Sequence, residues 1–154
     1  MEKTLIFMKK ACLLADNSTC GFKTGCVVVK GSKVLVEAWN ETLHGELYCQ
    51  NGECFRQKNK LSGGKEIEKV CSIHAESSAV AVSASKGISI KGASVYITTF
   101  PCLICVRLLV KCEIAKLYYM SDYMGGNEGL ALFNANDISV IKIQENEVWG
   151  GKND

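Results

Sequence analysis

The sequence predicts an α/β protein, a three-layer α/β/α sandwich built on a mixed five-stranded sheet. Two patterns carry that expectation. Near the N-terminus two β-branched runs flank a short turn containing glycine, as in an antiparallel hairpin. Further along, strands alternate with helices, which forces parallel pairing through right-handed crossovers. At 154 residues, 47% hydrophobic and 22% charged, the chain carries enough apolar side chain for one domain with a full core.

The elements follow in order. Leu5, Met8, Cys12 and Ala15 recur at helical spacing, with Ile6 and Leu13 beside them, and Asp16, Asn17 and Ser18 stop the helix. Cys26 to Val29 and Val34 to Trp39 read as strands joined by Lys30, Gly31, Ser32 and Lys33. Thr42 to Lys69 has few periodic apolar positions, and so long an irregular stretch needs something, such as an ion, to hold it together. Residues 1–154 are therefore read as a single domain with a cysteine-containing insertion around 42–72. Next come a helix from His74 to about Ser85, a strand from Ala93 to Thr98 and a short helix after Pro101. A strand from Ile114 to Met120, a helix near Leu130 to Ala135 and a strand from Ile138 to Ile143 complete the pattern. The last three strands are expected to run parallel beside the antiparallel pair. The tail from Glu145 to Asp154, polar apart from Val148 and Trp149, is expected at the periphery.

Charge and cysteine content narrow the function classes. A formal charge of +2, from 18 basic and 16 acidic residues, supplies no broad electrostatic track, so no polynucleotide partner is expected. Apolar runs fall far short of the roughly 18 residues of a membrane span. A soluble, cytoplasmic protein with no membrane partner is expected. Nine cysteines, an odd number, fit a fully paired disulfide framework badly, and in a reducing compartment close-set cysteines are more often metal ligands or reactive thiols.

The chemistry concentrates in two short motifs. His74-Ala75-Glu76 opens one expected helix and Pro101-Cys102-Leu103-Ile104-Cys105 opens another. Cys102 and Cys105 lie on the same side of a first helical turn, where the helix dipole favours thiolates. With His74 they form a three-ligand zinc site whose fourth position stays open, the arrangement of a catalytic rather than a structural zinc. Glu76 is then a carboxylate beside the metal. A structural zinc half-site, a redox pair or coincidence are the competing readings of Cys102 and Cys105 alone, but a redox pair has no use for His74 and Glu76, and both motifs in this order point to the catalytic site. The combination H-x-E with P-C-x-x-C is an established signature of zinc-dependent nucleobase deaminases, in which the carboxylate moves protons between water, ring and departing ammonia.

With those residues in view, the chain resembles the cytidine and deoxycytidylate deaminase family, and within it the dCMP deaminases, from about Leu5 to Ile143. Thr98-Thr99-Phe100-Pro101-Cys102-Leu103-Ile104-Cys105 is similar to the family's T-T-x-P-C-x-x-C, and Leu117-Tyr118-Tyr119 with Tyr123 to the strand and tyrosine that follow it. Gly25 to Val29 resembles the family's G-A-V-I-V strand, Trp39-Asn40 its Y-N pair, and Gly129 to Phe133 a later Gly-Leu-x-Leu-Phe helix. Together these separate dCMP deaminases from guanine, tRNA-adenosine and riboflavin-pathway deaminases better than the zinc motifs do. The resemblance implies the same sandwich fold, a catalytic Zn2+, a small-molecule nucleotide substrate, and assembly into homo-oligomers, dimers or hexamers. It also implies that Asn40 bonds the sugar hydroxyl, that the Ala75 N–H helps hold the pyrimidine carbonyl, and that Tyr123 lines the nucleotide pocket. Asn40 as a turn cap and Tyr123 as core packing are the alternatives.

Two departures bear on the substrate. Ser78 stands where the family's H-A-E-x-N-A-I has asparagine. The arginine that in the family lies between the first helix and Gly25 and touches phosphate is missing, leaving Lys23 as the cation of that neighbourhood, a point charge without arginine's two-point fork. Deamination of another cytosine nucleoside or nucleotide, or of a different amine-bearing nucleobase, is thus the alternative to dCMP; a non-catalytic zinc-stabilised binding module is the alternative from another class. The likeness to bacterial and phage dCMP deaminases further implies a second, structural zinc in the insertion, on Cys49, Cys54 and Cys71 with His44 or Cys20 as the fourth ligand. The alternative is that these are unliganded thiols.

Overall fold

The computed structural model describes residues 2–45, 54–61, 72–123 and 126–150. In chain order they form helix α1 (Glu2–Ala15), strands β1 (Gly25–Lys30) and β2 (Lys33–Trp39), a short helix α2 (Phe55–Lys58) and helix α3 (Ala75–Ser85). Strand β3 (Ser94–Thr99), α4 (Leu103–Lys111), β4 (Lys116–Ser121), α5 (Gly126–Ala135), β5 (Ser139–Lys142) and α6 (Glu145–Trp149) follow. None of the described helices is long and apolar enough to cross a membrane.

The strands make one five-stranded sheet in the order β2-β1-β3-β4-β5. β1 runs antiparallel to both β2 and β3, while β3, β4 and β5 run parallel. The mixed sheet read from the sequence is therefore the one observed. Side chains alternate across it as a period of two requires. Cys26, Val28, Val95, Ile97 and Leu117 pack against α3, α4 and α5, whereas Val27, Val29, Tyr96 and Tyr118 pack with Met8 and Ala11 of α1 and Val148 of α6. Helices thus cover both faces, and each fully buried Val, Leu, Ile, Phe or Met side chain contributes about 1.5–3 kcal/mol to that packing.

Two local features set the layers. Val34 and Val36 have the same parity in β2 and would share a face in a regular strand; a register shift opposite Val28 and Val29 puts Val34 on the α1 side and Val36 on the α3 side. Gly25 lets α1 lie directly on β1, since a Cβ there would sit 2.0 Å from the Ala11 carbonyl oxygen and 2.7 Å from the Ala15 nitrogen, both backbone atoms.

The structure corrects two expectations. α5 begins at Gly126 rather than near Leu130. Gly126 is thus the first residue of the helix rather than part of the approach to it, and at Gly129 a Cβ would meet Phe100 Cε1 and Val106 Cγ2 at 3.0 Å, so glycine there serves close packing within the helix. The tail is also not wholly peripheral. Gln144 and Glu147 form a capping box that starts α6, Gly150 ends it in the left-handed region at φ 68°, and Val148 is fully buried in the core layer shared with α1. Trp149 does stay exposed.

The insertion is closed at its neck. Glu41 and Ile73 exchange backbone hydrogen bonds, Glu41 N to Ile73 O at 3.2 Å and Ile73 N to Glu41 O at 2.9 Å, so the chain leaves and re-enters the domain at one point. That point lies next to Asn40 on one side and His74 on the other.

Candidate active site

His74 and Cys102 are the N-cap residues of α3 and α4, both with extended backbone, φ −69° and −65°. An N-cap side chain ordinarily accepts a hydrogen bond from its own helix, which is why Ser, Thr, Asp and Asn prevail there. Neither His74 nor Cys102 does so. Their side chains turn toward each other instead, with His74 Nδ1 3.5 Å from Cys102 Sγ and 3.5 Å from Cys105 Sγ. Pro101, fully buried, and a bond from Phe100 N–H to Ser121 O at 2.8 Å fix the approach from β3 into α4. The ligand atoms of His74, Cys102 and Cys105 all lie within 4.8 Å of one another, the one such cluster of three or more His, Cys, Asp or Glu among the described residues.

The donor set suits zinc. Two sulfurs and an imidazole nitrogen are the borderline-soft ligands it takes, and a tetrahedron with Zn–S about 2.3 Å and Zn–N about 2.0 Å has an S···N edge of about 3.5 Å, matching the observed separations. Behind the cluster Cys105 is buried, with Ser77 Oγ 3.3 Å from its sulfur.

Cys102 is drawn down to about 4, chiefly by the hydrogen bond from Cys105 and then by His74, while Cys105 is pushed up by its bond to Cys102 and by burial. His74 is raised first of all by its bond to Cys102. Glu76, 4% exposed, is lifted to about 7 by burial, against the opposing pull of a backbone hydrogen bond and of His74. A carboxyl poised there can both take and return a proton near neutral pH.

His74, Cys102 and Glu76 line a cavity of about 430 Å³, within the range of small-molecule sites. Ala75, Asn40 and Tyr123 also line it. Ala75 is the first residue of α3, so its N–H is among those that a helix start leaves for an outside acceptor. Asn40 stitches the β1 entry to the end of β2, because its Oδ1 accepts from Thr24 N–H at 2.8 Å and its Nδ2 donates to Phe22 O at 2.6 Å. One amide hydrogen and one lone pair remain for a ligand. Lys23 stands apart from the cavity, exposed, with Nζ 3.4 Å from Asp16 O. Ser78 is buried. Of the second cluster, Cys54 and Cys20 line the cavity, His44 is exposed in a turn, and Cys49 and Cys71 lie outside the described residues.

Three residues escaped the sequence reading. Ser77 sits in the first turn of α3, and its use depends on where α4 places Cys105. Asp122 lines the cavity and pairs with Lys142, a contact from β4's end to β5 that no local pattern announces. Arg56, from the insertion, lines the cavity as well.

Comparison with known proteins agrees with this geometry. Residues 1–121 match the family model described as the cytidine and deoxycytidylate deaminase zinc-binding region. The chain is 30% identical over 135 residues to the deoxycytidylate deaminase of Schizosaccharomyces pombe, covering 87% of this chain and 42% of that protein. It is 26% identical to the ComE operon protein 2 of Bacillus subtilis, covering 92% of this chain and 71% of that one. The chain thus spans less than half of the yeast relative. Among solved structures, the dCMP deaminase of cyanophage S-TIM5 in complex with dCMP and dUMP superposes with a TM-score of 0.73 at 26% identity, covering 90% of this chain and 94% of that one.

Proposed function

Because the chain belongs to the cytidine and deoxycytidylate deaminase family, we propose that its activity is the hydrolytic deamination of dCMP, giving dUMP and ammonia. The observation that carries this reading is a His-Cys-Cys cluster with ligand atoms spaced for zinc, opening on a nucleotide-sized cavity, with a buried carboxyl, Glu76, at the same wall. The dCMP deaminases among its relatives support the choice of substrate.

When bound, zinc supplies a Lewis acid that makes water a nucleophile at neutral pH. His74, Cys102 and Cys105 would hold it, and Ser77 orients Cys105. Glu76 takes a proton from the attacking water and delivers it to ring atom N3, so that the new C4–O bond forms without charge building on the pyrimidine. The same carboxyl then carries a second proton to the amine as the C4–N bond breaks and ammonia leaves. The Ala75 N–H holds the ring carbonyl, Asn40 offers its remaining amide hydrogen to the sugar, and Tyr123 forms part of the wall.

The reading includes a cytoplasmic homo-oligomer, for which the exposed Ile104, Leu108 and Leu130 offer apolar surface on α4 and α5. It includes a second zinc on Cys49, Cys54 and Cys71. Cys54 Cβ lies 3.7 Å from where a Cβ on Gly21 would stand, which supports neighbouring Cys20 over His44 as the closing ligand.

Ammonia release from cytidine, deoxycytidine, CMP, dCMP and dCTP, with zinc quantified in the same sample, tests the proposal. Preference for dCMP and two zinc equivalents per chain are expected. Equal turnover of nucleosides would shift the substrate to the unphosphorylated class, and bound zinc without turnover of any of the five would favour a binding module or a different amine.

A further inference from the structure

If the substrate is a nucleotide, the reading on which this inference rests, the cavity must neutralise a phosphate. Arg56 is the only Lys or Arg lining it among the described residues. The other charged side chains there do not serve: Glu76 and Asp122 are acids, and Asp122 is engaged by Lys142. Lys23, the cation closest in sequence to the family's missing arginine, is exposed and turned to the C-terminal end of α1.

The position of α2 is more telling than the charge alone. Cys54 Cβ and Gln57 Nε2 each approach to 3.7 Å of the point where a Cβ on Gly21 would lie, so α2 packs directly on the loop between α1 and β1. Backbone bonds from Lys58 N–H to Cys54 O and from Leu61 N–H to Arg56 O, both 2.9 Å, hold the turn that presents Arg56. Its side chain is half-buried, which limits competition from water and salt.

We propose that Arg56, delivered by the insertion, binds the 5′-phosphate of the substrate as a two-point donor. A guanidinium matches two phosphate oxygens at once, which a lysine at the same place cannot do. The insertion then has a direct part in specificity, since closing its neck at Glu41 and Ile73 brings α2 over the cavity.

The test is the ratio of kcat/KM for dCMP to that for deoxycytidine, measured on the zinc-loaded protein, its Arg56→Gln and Arg56→Lys variants, and Lys23→Gln. Arg56→Gln is expected to lower the ratio about 10–100-fold, the size of effect lost with hydrogen bonds to a charged group. Arg56→Lys is expected to recover part of it. Calorimetric binding of dUMP against deoxyuridine gives the same comparison without turnover, and the gap between them should narrow in Arg56→Gln. A wild-type protein that prefers dCMP, with an unchanged ratio and gap in Arg56→Gln, overturns the Arg56 assignment while leaving dCMP deamination standing; so does loss of the preference in Lys23→Gln instead. A wild-type protein indifferent to the phosphate overturns both.

Discussion

Glu76→Gln is expected to lower kcat for dCMP by about 10²–10⁴-fold, the usual span for loss of a positioned general acid–base group. The amide is nearly the same size and sits in the same buried position, so packing against the start of α3 is kept. The three zinc ligands are untouched, and zinc content should stay at the wild-type level. What disappears is the carboxyl that burial has raised to about 7, the group able to accept a proton from water and return it to N3 and then to the amine. Steady-state ammonia release with zinc determined on the same sample reads both quantities. Full turnover in Glu76→Gln would remove Glu76 from the mechanism.

Cys105→Ala is expected to abolish high-affinity zinc binding at the catalytic site, lowering the content from two equivalents to one, and with it turnover, and Ser77→Ala to weaken both only in part. Cys105 is one of two thiolates in a site with three protein ligands, and its loss leaves His74 and Cys102 alone. Ser77 only steadies that sulfur, at 3.3 Å, and losing such a supporting contact costs roughly 10–100-fold in metal affinity or activity. Competition with a zinc chelator should therefore rank wild type above Ser77→Ala and Ser77→Ala above Cys105→Ala. Retention of both zinc equivalents by Cys105→Ala would mean that neither metal depends on this site.

Much of the site could be read from the chain because its parts are local. His74 with Glu76, and Cys102 with Cys105, are short-range pairs whose helical starts place them, and the alternation of strand and helix between them requires both helix starts at one end of the sheet. The sheet followed from the same logic, since β-branched runs joined by Lys30, Gly31, Ser32 and Lys33 point to the hairpin and crossovers to parallel pairing. What escaped was set by contacts between distant segments. Gly126 looks like part of the approach to α5 unless one knows that Phe100 lies against it. Val148 looks like an isolated apolar residue in a polar tail unless α1 is there to cover it. Arg56 lies in a stretch with no hydrophobic period, and only the closing of the insertion onto Gly21 shows where its charge goes. Lys23, singled out by its position before Gly25, stands exposed and apart from the cavity.

The most direct test of the central claim is to run the dCMP reaction in ¹⁸O-labelled water with zinc-loaded protein and weigh the product. Hydrolysis at C4 predicts dUMP carrying one solvent oxygen at that carbon, formed in step with one ammonia. Zinc-loaded protein that releases no ammonia from dCMP, or that yields dUMP without the label, would contradict it.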